Sequence, residues 1–436
     1  MIVRSRRTRI GGVAAAIVLL AAACGSDDGA TTSGDSPDSS STDTPGSVVA
    51  PSKDVERAPV VADAPVEQLA AGFTDAGFDL LRRQPADANV VLSPLSVGHA
   101  LLMARAAADD LTGTAIDDAF TLPPGMSAHE AWNALDAAIA DTEATTTADD
   151  GTDTPVVTIA DRLWPSERAA PDQAWVDLMA SHHGADVETI DTDDPEGSRS
   201  RVNGWVSDQT QGLIPELLPA GFIQPTTVLV LTDTVYFKAQ WRTVFGKYGP
   251  EDGEFTRLDG STVDTSYLVE LELPGPRGVG DGYVGAELPY LGDDHSMLVI
   301  VPDEGRFDEV RERLSTDLLD EIDATFTSGP FELRVPEWRT TTTIDLMEWL
   351  TDTGIAPGAF PGIGPGVFLD GAVHGADITV DETGTEAAAG TALGFLESGA
   401  PEPELVVAAE RPYVFVIRHV ESGAVLFAGQ VTDPTA

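Results

Sequence analysis

Few residues of this 436-residue chain have the type and spacing that chemistry requires. His182 and His183 suggest a metal site, but adjacent helical residues point apart and no third ligand follows at a suitable spacing. His129-Glu130 lacks the second histidine of a zinc-protease helix. Asp191-Thr192-Asp193-Asp194 begins like a calcium loop, yet Pro195 interrupts it and the closing glutamate is missing, so a solvated loop is expected. Gly362, Gly364 and Gly366 have the glycine density of a phosphate loop, but Pro361 and Pro365 break the run and no strand–turn–helix context supports it. No G-x-S-x-G nucleophile motif occurs. These absences predict neither an enzyme nor a resident metal or cofactor.

Residues 382–399, ETGTEAAAGTALGFLESG, carry chemistry of another kind. Thr385, Ala387, Ala389, Thr391, Leu393 and Phe395 alternate, are uncharged and grow larger along the chain. In a strand these six share one face, and Glu386, the only charge within 385–396, falls on the other. Gly384, Gly390 and Gly394 make the segment a poor strand by itself, and Pro401 and Pro403 follow as breakers. An exposed glycine-rich loop that also has the pattern of a half-buried strand suggests a two-state element.

The elements that must hold such a loop are legible in outline. Arg4, Arg6, Arg7 and Arg9 precede an apolar run, Val13 to Ala23, too short for a membrane-spanning helix but of the length of an export h-region. Small residues then lead to Cys24, the only cysteine, so no intrachain disulfide is available. Residues 1–23 are thus expected to be a leader and 24–61 a Ser/Thr/Asp/Gly/Pro-rich tether, with a folded body over 62–436 and a polar surface insertion at 142–154. Helices are predicted at Val66–Arg83, after the Ser93-Pro94 start, and at 175–182, 198–211, 307–319 and 344–350. Strands are predicted at 90–92, 156–163, 228–237, 297–301, 331–335, 378–380, 414–417 and 425–431. Helices dominate early and strands late, an α+β order. With 25 basic and 72 acidic residues, and Lys53, Lys238 and Lys247 as the only lysines, the net charge of −47 argues against binding nucleic acid.

The body resembles the serpin family at seven places in family order. Asn89-Val90-Val91-Leu92-Ser93-Pro94-Leu95-Ser96 resembles the shutter motif. Val202-Asn203-Gly204-Trp205-Val206 with Thr210-Gln211-Gly212-Leu213-Ile214 is similar to the family's N-x-W/Y-V…T-x-G-x-I segment. Val235-Tyr236-Phe237-Lys238-Ala239-Gln240-Trp241 resembles the strand that ends in the breach tryptophan, and Leu288-Pro289-Tyr290 with Ser296-Met297-Leu298 a further motif. Val373-His374-Gly375-Ala376, Asp381 to Ala389, and Arg411-Pro412-Tyr413-Val414-Phe415 with Phe427-Ala428-Gly429-Gln430-Val431 complete the match over about 66–434. The approach to Cys24 is similar to a bacterial lipoprotein signal, which implies lipid attachment there.

The resemblance implies a fold of three β-sheets with eight or nine helices, and an exposed reactive-centre loop over about 382–404. A serine protease attacks the loop, and the cleaved loop inserts into the large sheet and traps the acyl-enzyme. The hinge would be Glu382, Gly384, Thr385, Glu386, Ala387, Ala388, Ala389 and Gly390. The reactive bond would join Ser398 to Gly399, within about two residues given variable loop lengths. Phe395, Leu396 and Glu397 would fill the preceding subsites, suiting elastase-, subtilisin- or chymotrypsin-like targets. No lysine or arginine lies between 383 and 410, against trypsin-like ones. The breach and shutter set would be Ser93, Pro94, Ser96, Asn203, Asp233, Trp241 and His374, with Asp233 where the family carries asparagine. An Asp233–His374 pair would make sheet opening pH-sensitive, a simple hydrogen bond being the plainer expectation. Residues 127–147 lack lysine and arginine, so no heparin response is expected. The expected product is an exported, extracellular monomer, lipid-anchored or shed. The alternative is a non-inhibitory serpin serving as a surface binding module.

Overall fold

A computed structural model describes residues 13–23, 49–52, 55–145, 156–243, 245, 251–382, 384–385 and 404–436. Cys24, most of the tether, much of the 142–154 insertion, and the loop positions Glu386, Ala387, Ala388, Ala389, Gly390, Phe395, Leu396, Glu397, Ser398 and Gly399 lie outside the described residues.

The chain runs β1 (Val13–Ala23), α1 (Val66–Arg83), β2 (Val90–Leu92), α2 (Pro94–Arg105), α3 (Asp110–Ala119), α4 (Met126–Thr145), β3 (Val156–Pro165) and α5 (Gln173–Leu178). A π-helical turn (Met179–His183) leads to β4 (Asp186–Val187), α6 (Pro195–Gln209), β5 (Thr227–Gln240), β6 (Glu251–Thr256), β7 (Thr262–Gly280), β8 (Tyr283–Pro289) and β9 (His295–Pro302). There follow α7 (Phe307–Glu312), α8 (Thr316–Thr325), β10 (Thr327–Pro336), β11 (Trp338–Asp345), α9 (Met347–Asp352) and β12 (Val367–Val380). The last elements are β13 (Gly384–Thr385), β14 (Val406–Ala408), β15 (Tyr413–His419) and β16 (Val425–Val431).

One sheet has the order β11-β12-β1-β5-β3-β4, with β13 pairing β5 at its upper end. The other strands run β14-β10-β7-β8-β9-β15-β16-β2, with β6 on β7. The long β7 pairs with β6 and β10 over most of its length and with β8 over its last four residues, which joins the two smaller sheets of the expected three. The fold is α+β, as the element order predicted.

Local chemistry explains most boundaries. The Ser93 side chain accepts from Ser96 N at 3.1 Å and Pro94 opens the first turn, so α2 starts where the sequence placed it. Asp194 accepts from Gly197 N, so the aspartate run 191–194 is a helix cap and no calcium loop. The single helix expected over 307–319 is two, because Ser315 caps α8 at Leu318 N. The helix expected over 344–350 starts later: its first two residues close the threonine-rich strand β11, and α9 begins at Met347.

One placement that the sequence did not suggest is that of Val13 to Ala23. The expected leader is a central strand, antiparallel to both β12 and β5. Ile17, Leu19 and Ala21 join the main core on one face. Ala16, Val18 and Leu20 join a smaller core with Val202 and Val206 of α6 on the other. An uncharged run of eleven residues suits a strand buried on both faces as well as it suits an h-region, and composition does not separate the two. Ile17→Asp would bury an unpaired carboxylate in mid-sheet, at a cost on the order of several kcal/mol. The full-length variant is expected to melt below wild type and to be cut by proteases within 13–23; an unchanged melt and cleavage pattern would mean that the strand contributes nothing.

Candidate functional site

The site is the slot that β1 occupies, with the residues that guard its upper end and its middle. At the upper end β12 runs into β13 through Asp381 and Glu382. Gly384 pairs with Gln240 and Thr385 with Ala239, so this start of the loop is already a strand of the sheet. Gly384 has φ +153°, and a Cβ there would meet the Ala239 carbonyl oxygen at 2.2 Å, so a glycine is required. Trp241 stacks on Tyr290 with centroids 4.5 Å apart and donates from Nε1 to the Asp381 carbonyl at 3.0 Å. The Tyr290 hydroxyl lies 2.9 Å from Thr385 Oγ1, and both residues are buried. Phe245 N donates to the Glu382 carbonyl at 2.9 Å. The expected breach tryptophan holds one end of the turn that leads into the loop, and the Tyr290 stacked on it holds the other.

Half-buried Glu337 adds charge at this end. Burial first, and then the nearby Glu382 and Asp381 carboxylates, push it up to about 7.

In the middle of the slot, the Ser96 hydroxyl donates to Asp233. Ser93 N donates to His374 Nε2 at 3.0 Å. Helix α2 thereby grips β5 through Ser96 and β12 through Ser93. Asp233 and His374 are both buried, but the expected pair is not formed. Ile17 is the cross-strand partner of both, and the width of β1 separates them. Asp233 bonds instead to His99 Nδ1 at 2.7 Å, while burial lowers His374 to about 4.

Ser93, Pro94, Ser96, Asp233 and His374 thus converge, and Trp241, Gly384, Thr385 and Glu382 gather at the upper end. Asn203 belongs to neither group. It sits on α6, accepts from Leu217 N and Leu218 N at 3.1 and 2.8 Å, and donates to the Leu218 carbonyl, tying down the segment after its helix. Sequence reasoning missed His99, Tyr290 and Glu337. His99 lies one helical turn beyond Ser96 on α2, a signal that was available. Tyr290 stood inside a quoted motif. Glu337 had no local mark.

A family profile described as Serpin (serine protease inhibitor) matches residues 71–434. Antithrombin-III of Mus musculus is 29% identical over 287 residues, 63% of this chain and 62% of that protein. The chain therefore spans somewhat under two thirds of the length of that relative. Leukocyte elastase inhibitor of Bos taurus is 29% identical over 395 residues, 85% of this chain and 100% of that protein. Human thyroxine-binding globulin complexed with its hormone superposes with a TM-score of 0.73 at 22% identity, covering 85% of this chain and 100% of that one. At that identity the likeness is one of fold.

The Glu337 environment gives a pH dependence with a definite sign. An acid whose folded pKa is raised favours the fold while protonated. Its contribution is present below the unfolded value near 4.5 and is lost as pH rises to about 7. Glu337→Gln is expected to melt nearly as wild type at pH 4.5 and above it at pH 8. A wild-type-minus-variant difference that is flat across that range would refute the assignment.

Proposed function

The chain belongs to the serpin family, and we propose that it is an inhibitory member: a suicide substrate that traps serine proteases by inserting its cleaved loop into the large sheet. The observation that carries this reading is a register. Gly384 opposite Gln240 and Thr385 opposite Ala239 fix how the loop enters beside β5. Two further residues in that register would put Ala387 opposite Phe237, the position Val13 holds. Thr391 would take the place of Ile17 and Leu393 that of Leu19, facing the main core. Ala388, Gly390, Ala392 and Gly394 would take the places of Ala14, Ala16, Val18 and Leu20, so only glycine or alanine would face the smaller core. Glu386, the one charge, would lie across from Lys238. The uncharged face read from the sequence is the face this register would bury.

The mechanism follows from the slot. The target's serine attacks the carbonyl carbon of the reactive bond, Ser398-Gly399, and the amine of Gly399 leaves. The freed loop extends β13 down the slot with the acyl-enzyme attached. The strand supplies hydrogen bonds and apolar burial along β5 and β12, and this drives the step. The protein enters as a substrate and has no turnover chemistry of its own. Phe395, Leu396 and Glu397 ahead of Ser398 favour elastase-, subtilisin- or chymotrypsin-like targets.

The same slot bears on how residues 1–23 are read. While they are present the loop's place is taken, so trapping requires their departure. That fits an export leader removed before Cys24, with Cys24 lipid-modified and residues 24–61 as a tether on the outer face of a bacterial cell, the body of 62–436 acting there or after shedding. No described helix is long and apolar enough to cross a membrane. The long helix α4 carries no lysine or arginine that could bind sulfates, which supports the expectation of no heparin response.

Two experiments test the reading. A chain lacking residues 1–24 is expected to form denaturant-stable complexes with at least one of subtilisin, pancreatic elastase and chymotrypsin, releasing a C-terminal peptide that begins at Gly399. The full chain is expected to be cut without a complex. Trapping of equal yield by both would remove the competition between leader and loop. Loop cleavage without any complex, and with no rise in melting temperature, would favour the non-inhibitory binding module.

Thr385→Arg puts a charge at a fully buried hinge position. In the shortened chain it is expected to turn most encounters into substrate cleavage, read as a rise in the moles of inhibitor consumed per protease blocked.

A further inference from the structure

Behind the slot lies a group of ionisable side chains that loop insertion does not use. Asp161 of β3 and Asp233 of β5 are directly paired across their strands, and both are buried. His99 of α2 reaches them from below: its Nδ1 is 2.7 Å from Asp233 Oδ2 and 3.4 Å from Asp161 Oδ1. Trp132 stacks on the His99 ring at 3.4 Å and 12°, which fixes its plane. Asp161 Oδ1 has no hydrogen-bond partner although its side chain is 3% exposed. Two carboxylates without a full positive counter-charge are costly in such a place. Burial opposes a charge on His99, and burial together with the Asp233 carboxylate pushes Asp161 well above the usual carboxylate range.

We propose that His99 Nδ1, Asp161 and Asp233 bind a divalent transition-metal ion, with zinc as the representative. The three ligand atoms lie within 4.8 Å of one another, a spread one ion can span with modest closure of the side chains. Two carboxylates cancel its charge, and the orphaned Asp161 oxygen gains a partner. One imidazole with two carboxylates favours zinc, manganese or cobalt over magnesium.

The surroundings have the form of a second shell. His99 Nε2 lies 2.8 Å from His183 Nδ1, and His183 Nε2 lies 2.9 Å from His129 Nδ1. With an ion on His99 Nδ1, Nε2 carries the proton and donates to His183, which donates in turn to His129, one consistent set of tautomers. The Ser96 hydroxyl orients Asp233. A cavity of about 350 Å³, lined by Asp161 and His183, offers a way in and room for water ligands. Arg57 and Arg162, the cations that line it, are paired with Asp136 and with Asp186 and Glu188 respectively. The bound ion would fasten β3, β5 and α2 together behind the sheet. Sequence reading had set His183 and His129 aside for want of a further ligand at a suitable spacing; the partners are far away along the chain.

The test uses the full chain, stripped with EDTA and dialysed against zinc with magnesium in excess. One tightly held zinc per chain is expected, with a melting temperature above that in EDTA. Cobalt in its place should give a visible spectrum with a nitrogen ligand. Asp161→Asn should lose the zinc and the zinc-dependent rise in melting temperature, yet melt in EDTA at or above wild type because a buried charge is gone. His183→Asn, which keeps all three ligands, should weaken zinc about ten- to a hundredfold, marking it as a positioning residue. Absence of stoichiometric zinc in the wild-type chain would overturn the proposal. So would zinc held with equal affinity by Asp161→Asn, or by His183→Asn should the first variant not fold.

Discussion

Strands β5 and β12 run in the same direction with one strand's width between them, and that gap governs the rest of the molecule. Each presents a row of N–H and C=O groups to it, and β1, antiparallel to both, satisfies the two rows at once. The segment must also be apolar or small on both faces, because the main core lies on one side and α6 with residues 214–223 on the other. Any uncharged chain of about eleven residues is a candidate for the place. Specificity then depends on which segment is nearest and what holds it out.

The groups around the gap are arranged as latches at two heights. At the top, the Trp241 indole and the Tyr290 ring form a stacked pair whose polar atoms bind Asp381 and Thr385, so the first two loop residues are in the sheet while the turn behind them is held. In the middle, α2 reaches β5 through Ser96 and β12 through Ser93. These bonds run from the helix to each strand and not from strand to strand. With β1 in the gap, Asp233 and His374 stand one strand apart and α2 is bonded to both strands.

Much of this was legible in the sequence where the signal is local. The bounds of α1 and of β16, the Ser93 cap and the buried run of β5 follow from spacing, capping and β-branched composition, and each appears where it was expected. The motifs at 93–96, 235–241 and 381–385 located most of the latch residues. What was not legible depends on partners distant in the chain: Asp161 facing Asp233, and His183 reaching His99 across 84 residues. The break at Ser315 was missed because an amphipathic pattern continued across it, and a serine that fits a helix surface fits a cap equally well.

The placement of Val13 to Ala23 has a deeper cause than ambiguity of pattern. An export h-region must be apolar and free of charge over about ten residues to be recognised as such. A strand buried between two cores must meet the same condition to avoid unpaired charge. The two demands select the same composition, so on the proposed reading a serpin made with an apolar leader would carry a competitor for its own loop. The loop differs in being weaker: glycines at 384, 390 and 394 and alanines at 387, 388, 389 and 392 give less apolar area than the valines, isoleucine and leucines of residues 13–23. Residues 13–23 are thus the better-fitting strand on burial, and on the proposed reading the loop would take that place only once they are removed.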